Sequence, residues 1–482
     1  MSVLSNVSIS LAGKVVALFL MLGSTMILAR LLTPEELGTY AIVAGLSALL
    51  AAFKNFGTSN YLIQNPELTK RSVASALTVT ALISWSVGAL LAVSSESLAQ
   101  FFEQPDMRNI ANVLAVNFLF APWLAIGTAI LIRQHRFRDL VLIETVSGIV
   151  HAVVGIGLVL AGLGPLALAL GVVAHSLSGF FAFLLLRLPA FTLLPGFWEL
   201  GGVLRFGAWS SGVTLANQLS ARGNELVIGK HLGVDATAMF DKGFALARLV
   251  AEQLITEILR VLLPVFAEKR RLGLSHKEDF LAYFGILASI LGPTYAFLAV
   301  HAQALIDILF GAQWGAAAPI ATIAAVEFML TTTFALGERV MIAEGLVRRL
   351  FALKLKAFAL RLAALLALVW FGLVPVAIGL MVAAVAYVIL MQMELRRMMG
   401  VTSIELLREV RGPAVAVAAT FMIGVWVPLW LDKSGEVGPV AATLMAGLFS
   451  FVAWLVIGAL FRWPIFRVVW RHVANRVALH AM

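Results

Sequence analysis

Apolar runs of helix-spanning length recur along the whole chain, and this recurrence limits what it can fold into more than any other feature. A hydrocarbon core about 30 Å thick is crossed by roughly 20 residues of helix. Inside lipid each backbone group must find its partner within the segment, so helices are expected rather than open sheets. Division at Gly, Pro and charged breaks gives fourteen spans: 11–32, 37–58, 75–95, 109–132, 141–162, 165–187, 206–230, 237–263, 280–303, 316–345, 351–372, 375–395, 412–431 and 438–461. Spans 7, 8 and 10 each carry several ionisable residues, which blurs their edges. The expected fold class is an all-α polytopic membrane protein of about 14 transmembrane helices.

Composition agrees with lipid as the main solvent. Hydrophobic residues make up 61% of the 482 and charged residues 13%, against roughly 25% charge in soluble domains. Mean hydropathy is +0.97. With no cysteine, disulfides, thiolate catalysis and Cys-ligated metals are excluded. The eight histidines show no zinc-site spacing, and no cofactor is expected. A net charge of +9 is no sign of a nucleic-acid partner, because the cations sit in short loops between apolar runs. Lys14 interrupts the first apolar stretch and no A-x-A-like site closes it, so no cleaved signal peptide is expected. No loop exceeds about 20 residues. A polymerase or glycosyltransferase would need a longer loop or an extramembrane domain, so the chain reads as a transporter, not an enzyme.

Lysine and arginine fall mainly in alternate loops. One set holds 23 of them, from Lys70 and Arg71 through Arg270 and Lys277 to Arg471 and Arg476; the other holds only Arg108, Lys230 and Lys433. The rich set is assigned to the cytoplasm. Both termini are then cytoplasmic, in a bacterial inner membrane. Residues 464–482 mix Arg467, Arg471 and Arg476 with Phe466, Val469 and Trp470, as a helix lying on the anionic leaflet would. Trp123, Trp198, Trp314, Trp430 and Trp463 fall near span ends, as an aromatic belt would.

The chain also repeats itself. At an offset of 200 residues, ILARLLTPEELGTY (Ile27 to Tyr40) lies over VIGKHLGVDATAMF (Val227 to Phe240), matching Arg30 with Lys230, Glu35 with Asp235 and Tyr40 with Phe240. Each copy joins two spans on the external side. A parallel duplication of this kind divides the chain into an N-terminal lobe of six helices (1–190), a C-terminal lobe of six (191–400), an added helix pair (401–462) and an amphipathic tail (463–482).

These segments carry a family likeness. ILARLLTPEELGTYAIV, FGTSNYLIQ (Phe56 to Gln64), ILIRQHRFRDL (Ile130 to Leu140), FGAWSSGVTLANQL followed by ELVIGKHLG (Phe206 to Gly233), LPVFAEKRR (Leu263 to Arg271) and LFGAQWGAAAPI (Leu309 to Ile320) occur in the order and spacing of one family. In them the chain resembles the polysaccharide transporter (oligosaccharide/lipopolysaccharide flippase) family of the multidrug/oligosaccharidyl-lipid/polysaccharide exporter superfamily. The resemblance covers the first two thirds of the chain. It implies a flippase that moves an oligosaccharide or exopolysaccharide repeat unit on undecaprenyl diphosphate to the outer leaflet by alternating access. It also implies an H+ or Na+ gradient as the driving force, and as partners the lipid-linked oligosaccharide, membrane lipids and the polysaccharide polymerase and export machinery. Consistent with that, no Walker-type phosphate loop is present. The chain departs from the family at Asn224–Glu225, where an aspartate is usual, and at Ala238–Phe240, where Gly-x-Tyr is usual. The rival readings are a cation-coupled multidrug exporter and a peptidoglycan-precursor (lipid II) flippase of the same superfamily.

Charge inside a membrane span is costly and therefore needs a cavity or a partner. Lys14, Arg30, Lys54, Arg222, Arg248 and Arg339 are candidates for a cationic, substrate-binding cavity; Arg260 lies near a span end, where it can snorkel. Spacing pairs Arg222 with Glu225, Arg248 with Glu252 and Arg260 with Glu257. Glu225, Asp241, Glu252, Glu257 and Glu327 are the coupling candidates, joined by Glu338. His151 and His175 fall at mid-span, where a neutral hydrogen-bonded role is the plain expectation.

Overall fold

The computed structural model describes residues 18–54, 69–134, 136–186, 191–198, 222–255, 269–272, 274–434 and 438–461, with Thr58, Leu62, Leu188, Gln218, Leu219, Leu262, Phe266 and Trp463 between and beyond them. All regular structure among these residues is helical. In chain order the helices are α1 (Leu18–Leu31), α2 (Pro34–Lys54), α3 (Lys70–Val93), α4 (Ser95–Phe102), α5 (Asp106–Arg133), α6 (Phe137–Leu160) and α7 (Leu166–Leu185). They continue as α8 (residues 222–232) and α9 (Val234–Val250), which runs into a π turn at Ala251–Ile255. Then follow α10 (Lys277–Val300), α11 (Ala302–Leu309), α12 (Ala318–Ala343), α13 (Val347–Leu368), α14 (Leu373–Met399), α15 (Ser403–Glu409), α16 (Arg411–Ser434) and α17 (Pro439–Leu460). Among the described residues nine segments are long and apolar enough to cross a membrane. The chain is a multi-pass membrane protein.

Contacts divide the chain into two units, Met1–Ala238 and Met239–Met482. In the first, α3 packs on α5, α5 on α7, α6 on α7, and the short α4 on α5. In the second, α10 packs on α12, α12 on α14, α13 on α14, and the short α11 on α12. The order is the same, and corresponding helices keep step: Lys70 and Lys277 are 207 residues apart, as are Ser95 and Ala302. The duplication seen over fourteen residues of sequence therefore extends through the order of elements in each unit. The second unit adds α16 and α17, which pair with one another and lean on α10.

Long apolar helices pack here through small residues, as lipid-solvated helices do. Gly127 on α5 faces the ring of Phe183 on α7, where a Cβ would come within 2.5 Å of the ring. Ile42, Val87, Leu91, Met107, Ile110, Leu114 and Phe118 fill the first unit's core between α2, α3 and α5. The short helices are the main departure from the expected spans. Spans 3 and 9 were expected to run to residues 95 and 303, but the helices stop at Val93 and Val300. At the first break Ser94 Oγ donates to the Leu90 carbonyl at 2.7 Å and Ser95 Oγ to the Ala92 carbonyl at 2.7 Å. These bonds cap the long helix and let amphipathic α4 turn off, with Ala99 buried and Glu96 exposed.

Candidate functional site

Residues 222–238 make their contacts in the first unit. On α8, Arg222 Nη1 donates to Glu225 Oε1 at 3.0 Å, the i,i+3 pair that spacing predicts. Glu225 is only 2% exposed. Its carboxylate occupies a notch on α2 that exists because residue 45 is glycine: a Cβ there would stand 2.0 Å from Glu225 Oε2. Two further contacts of the same kind lie one and two turns away, where a Cβ on Gly229 would meet Ile42 Cδ1 at 2.4 Å and a Cβ on Gly38 would meet the Val234 carbonyl at 1.9 Å. At the end of α8, Lys230 Nζ donates to the Phe101 carbonyl at 2.6 Å, stands 4.5 Å from that residue's ring and lies 3.9 Å from Glu103. Glu103 closes α4 in the left-handed region at φ 57°. Lys230 thereby holds the end of α4.

In the second unit, Arg248 on α9 pairs with Asp241, Nη2 to Oδ1 at 3.3 Å, and not with Glu252 as spacing suggests. The π turn that starts at Ala251 carries Glu252 off the α-helical register and leaves it exposed, while Asp241, two turns back, stays on the Arg248 face. Between α12 and α13, Arg361 Nη1 donates to Glu327, which is 3% exposed. Farther along, Glu338 accepts from Lys354 Nζ at 2.5 Å and from the Tyr387 hydroxyl of α14 at 2.5 Å. The acids 327 and 338 on α12 and the bases 361 and 354 on antiparallel α13 thus form a two-rung ladder. Arg339 is half-buried, and its Nε is sealed from solvent with no hydrogen-bond partner among the described residues.

The remaining candidates are placed as follows. Arg30 is exposed at the end of α1. Lys54 ends α2, but its side chain lies outside the described structure, as do Lys14, Glu257 and Arg260. His151 on α6 and His175 on α7 stand edge to face with ring centroids 6.4 Å apart. Among the described residues no three metal-ligating side chains converge. Of the tryptophans assigned to an aromatic belt, Trp198 and Trp430 are exposed, but Trp314 is fully buried and Trp463 nearly so. Trp314 is instead enclosed by the second unit, beside Lys242 of α9. Lys242 and Arg361 are the two cations within the expected spans that sequence reading passed over. Arg361 could have been found from its seven-residue spacing to Lys354, opposite two glutamates eleven apart.

At the Lys277 end of α10 a second group of charges ties helix ends together. Lys277 Nζ donates to the Gly400 carbonyl at 3.0 Å and pairs with Glu405 at 2.8 Å. That bond, with those from the Thr402 backbone and hydroxyl that cap α15, pulls the Glu405 carboxyl down to about 2. Arg270 donates to the Ala343 carbonyl at 2.7 Å and lies 3.7 Å from Glu344; buried His276 puts Nε2 2.6 Å from the same carboxylate.

The arrangement matches known proteins in sequence and in shape. The family described as polysaccharide biosynthesis protein matches residues 27–319. Teichuronic acid biosynthesis protein TuaB of Bacillus subtilis is 25% identical over 60% of this chain and 61% of its own length. Lipopolysaccharide biosynthesis protein WzxC of Escherichia coli is 23% identical over 66% of this chain and 65% of its own. Succinoglycan biosynthesis transport protein ExoT of Rhizobium meliloti is 23% identical over the same shares. The chain thus spans less than two thirds of each of these relatives. Among solved structures, the lipid II flippase MurJ in an inward closed conformation superposes with a TM-score of 0.77 at 13% identity, over 95% of this chain and 99% of that one. An inward-facing multidrug resistance MATE family transporter of the MOP superfamily gives 0.59 at 13% identity, over 82% of this chain and all of that one. At such identity the likeness concerns the fold.

Proposed function

Since the chain belongs to the polysaccharide biosynthesis protein family, the polysaccharide transporters of the MOP superfamily, we propose that it is a flippase for a lipid-linked oligosaccharide or exopolysaccharide repeat unit. The substrate is carried on a polyprenyl diphosphate such as undecaprenyl diphosphate and moves from the cytoplasmic to the outer leaflet of the bacterial inner membrane. Both termini are cytoplasmic, and two six-helix lobes alternate their access. An H+ or Na+ gradient drives the cycle, with Glu225, Asp241, Glu252, Glu257 and Glu327 as the carboxylates that couple to it. Lys14, Arg30, Lys54, Arg222, Arg248 and Arg339 supply the cationic lining.

One observation carries the choice of an anionic substrate. Of the candidate carboxylates in the described structure, Glu225, Asp241, Glu327 and Glu338 are each already held by an arginine or lysine and Glu252 alone is exposed, whereas Arg339 has no carboxylate against it among the described residues. An exporter of cationic drugs needs open carboxylates. A flippase of a diphosphate needs cations that the chain has not already neutralised, and a charge held without a counter-ion is retained where a ligand supplies one. Deletion of the gene tests the reading. Lipid-linked repeat units should accumulate on the cytoplasmic side and surface polysaccharide should disappear. Unchanged polysaccharide with altered drug tolerance would instead identify an exporter of small molecules.

A further inference from the structure

Lys242 lies on α9 eight residues after Val234, about 12 Å along the helix, and is 9% exposed. Its Nζ stands 5.4 Å from the Phe310 ring and 5.7 Å from the Trp314 ring. Both rings are buried and both belong to the LFGAQWG segment that follows α11. The next residue fixes this position. A Cβ on Gly243 would be 2.7 Å from Ile320 and 3.0 Å from the Ala317 carbonyl, so α9 is pressed against the start of α12 with no room to slide.

The neighbouring charges offset this amine only in part. Asp241 is engaged by Arg248 at 3.3 Å, so the group Asp241, Lys242 and Arg248 carries one net positive charge. No ion pair to Lys242 exists among the described residues, whereas Arg248, Lys354 and Arg361 of the same unit each hold a carboxylate. Two ring faces return much less than it costs to bury an ammonium.

We propose that Lys242, backed by Phe310 and Trp314, is a binding residue for the phosphate of a lipid. The ligand is a phosphate ester that the chain itself does not provide. On the orientation proposed above, α9 starts at the outer face, so the amine lies on the outer side of the membrane, where a translocated diphosphate leaves and where outer-leaflet phospholipids are found. The assignment rests on the flippase reading only for which of these two phosphates is the physiological one.

The test is direct binding to the full-length protein in nanodiscs, with undecaprenyl diphosphate and phosphatidylglycerol as separate probes and with Lys242→Met, Lys242→Gln and Lys242→Arg compared. Methionine keeps the packed stem and removes the charge. Melting temperature serves as the control for folding. The expected result is about tenfold weaker binding in the Met and Gln variants, with Arg close to wild type. Loss confined to the diphosphate marks the substrate, and loss confined to phosphatidylglycerol marks a lipid headgroup site; both support a phosphate. Unchanged binding of both probes by a folded Met variant overturns the proposal, as does an Arg variant that binds no better than Gln. Because binding is read without transport, this outcome is independent of whether gene deletion abolishes polysaccharide.

Discussion

At the scale of single residues, burial decides which charges matter to stability. Arg361 and Glu327 meet inside the second unit, with Glu327 nearly sealed. Arg361→Ala should cost roughly 3 to 5 kcal/mol, because it leaves a buried carboxylate without a partner, whereas replacing both by leucine should restore most of the loss. Melting of the detergent-purified protein measures both. Glu405 behaves differently because it lies at the surface. Its carboxyl is held near 2, below its ordinary 4.5, so its contribution is complete above about pH 4.5 and is lost as pH falls through about 2. Lys277→Ala removes the first cause of that shift, and a carboxyl titration followed by NMR should show Glu405 rising toward 4.5. Sequence alone gives the Arg222–Glu225 pair from its spacing. It does not give the aromatic partners of Lys242, because Phe310 and Trp314 are brought there by tertiary packing across some 70 residues of chain.

At the scale of elements, the glycines of α2 set how closely α8 can approach. Gly38→Ala forces a Cβ onto the Val234 carbonyl, a backbone atom, whereas Gly45→Ala meets only the end of the Glu225 side chain. Both should destabilise, by about 1 to 3 kcal/mol where the core must be overpacked, and Gly38→Ala should be the worse of the two in the same melting assay. The length of the apolar runs made the long helices legible because twenty-residue runs have few alternatives in lipid. It did not reveal α4 and α11, since eight-residue amphipathic helices are too short to count as spans and fall in the loops after residues 95 and 303. Nor did it reveal the π turn after α9, which is why the partner of Arg248 was misassigned to Glu252.

At the scale of the whole molecule, the alternation of basic loops predicts a sidedness that can be checked chemically. The natural absence of cysteine makes the background clean. A cysteine at exposed Gln100 on α4 should react with a membrane-impermeant maleimide in intact spheroplasts, and one at exposed Arg349 on α13 only after permeabilisation. Equal labelling of both from outside would reverse or dissolve the assigned topology. The duplication was visible in sequence only where its two copies kept the same turn, around Arg30 and Lys230. Elsewhere lipid-facing positions accept any apolar residue, and the repeat persists in helix order and not in residue identity.

The seating of α8 on α2 bears on how such chains can be recombined. A chimaera joined near residue 190, the lobe boundary expected from sequence, sets a foreign helix against the native glycines of α2 and the native end of α4, so Glu225, Val234 and Lys230 would have to be met by a surface shaped for other residues. A crossover just after Ala238 carries all of these contacts with their own partner. Exchange of halves between family members should therefore succeed more often at the later junction than near residue 190.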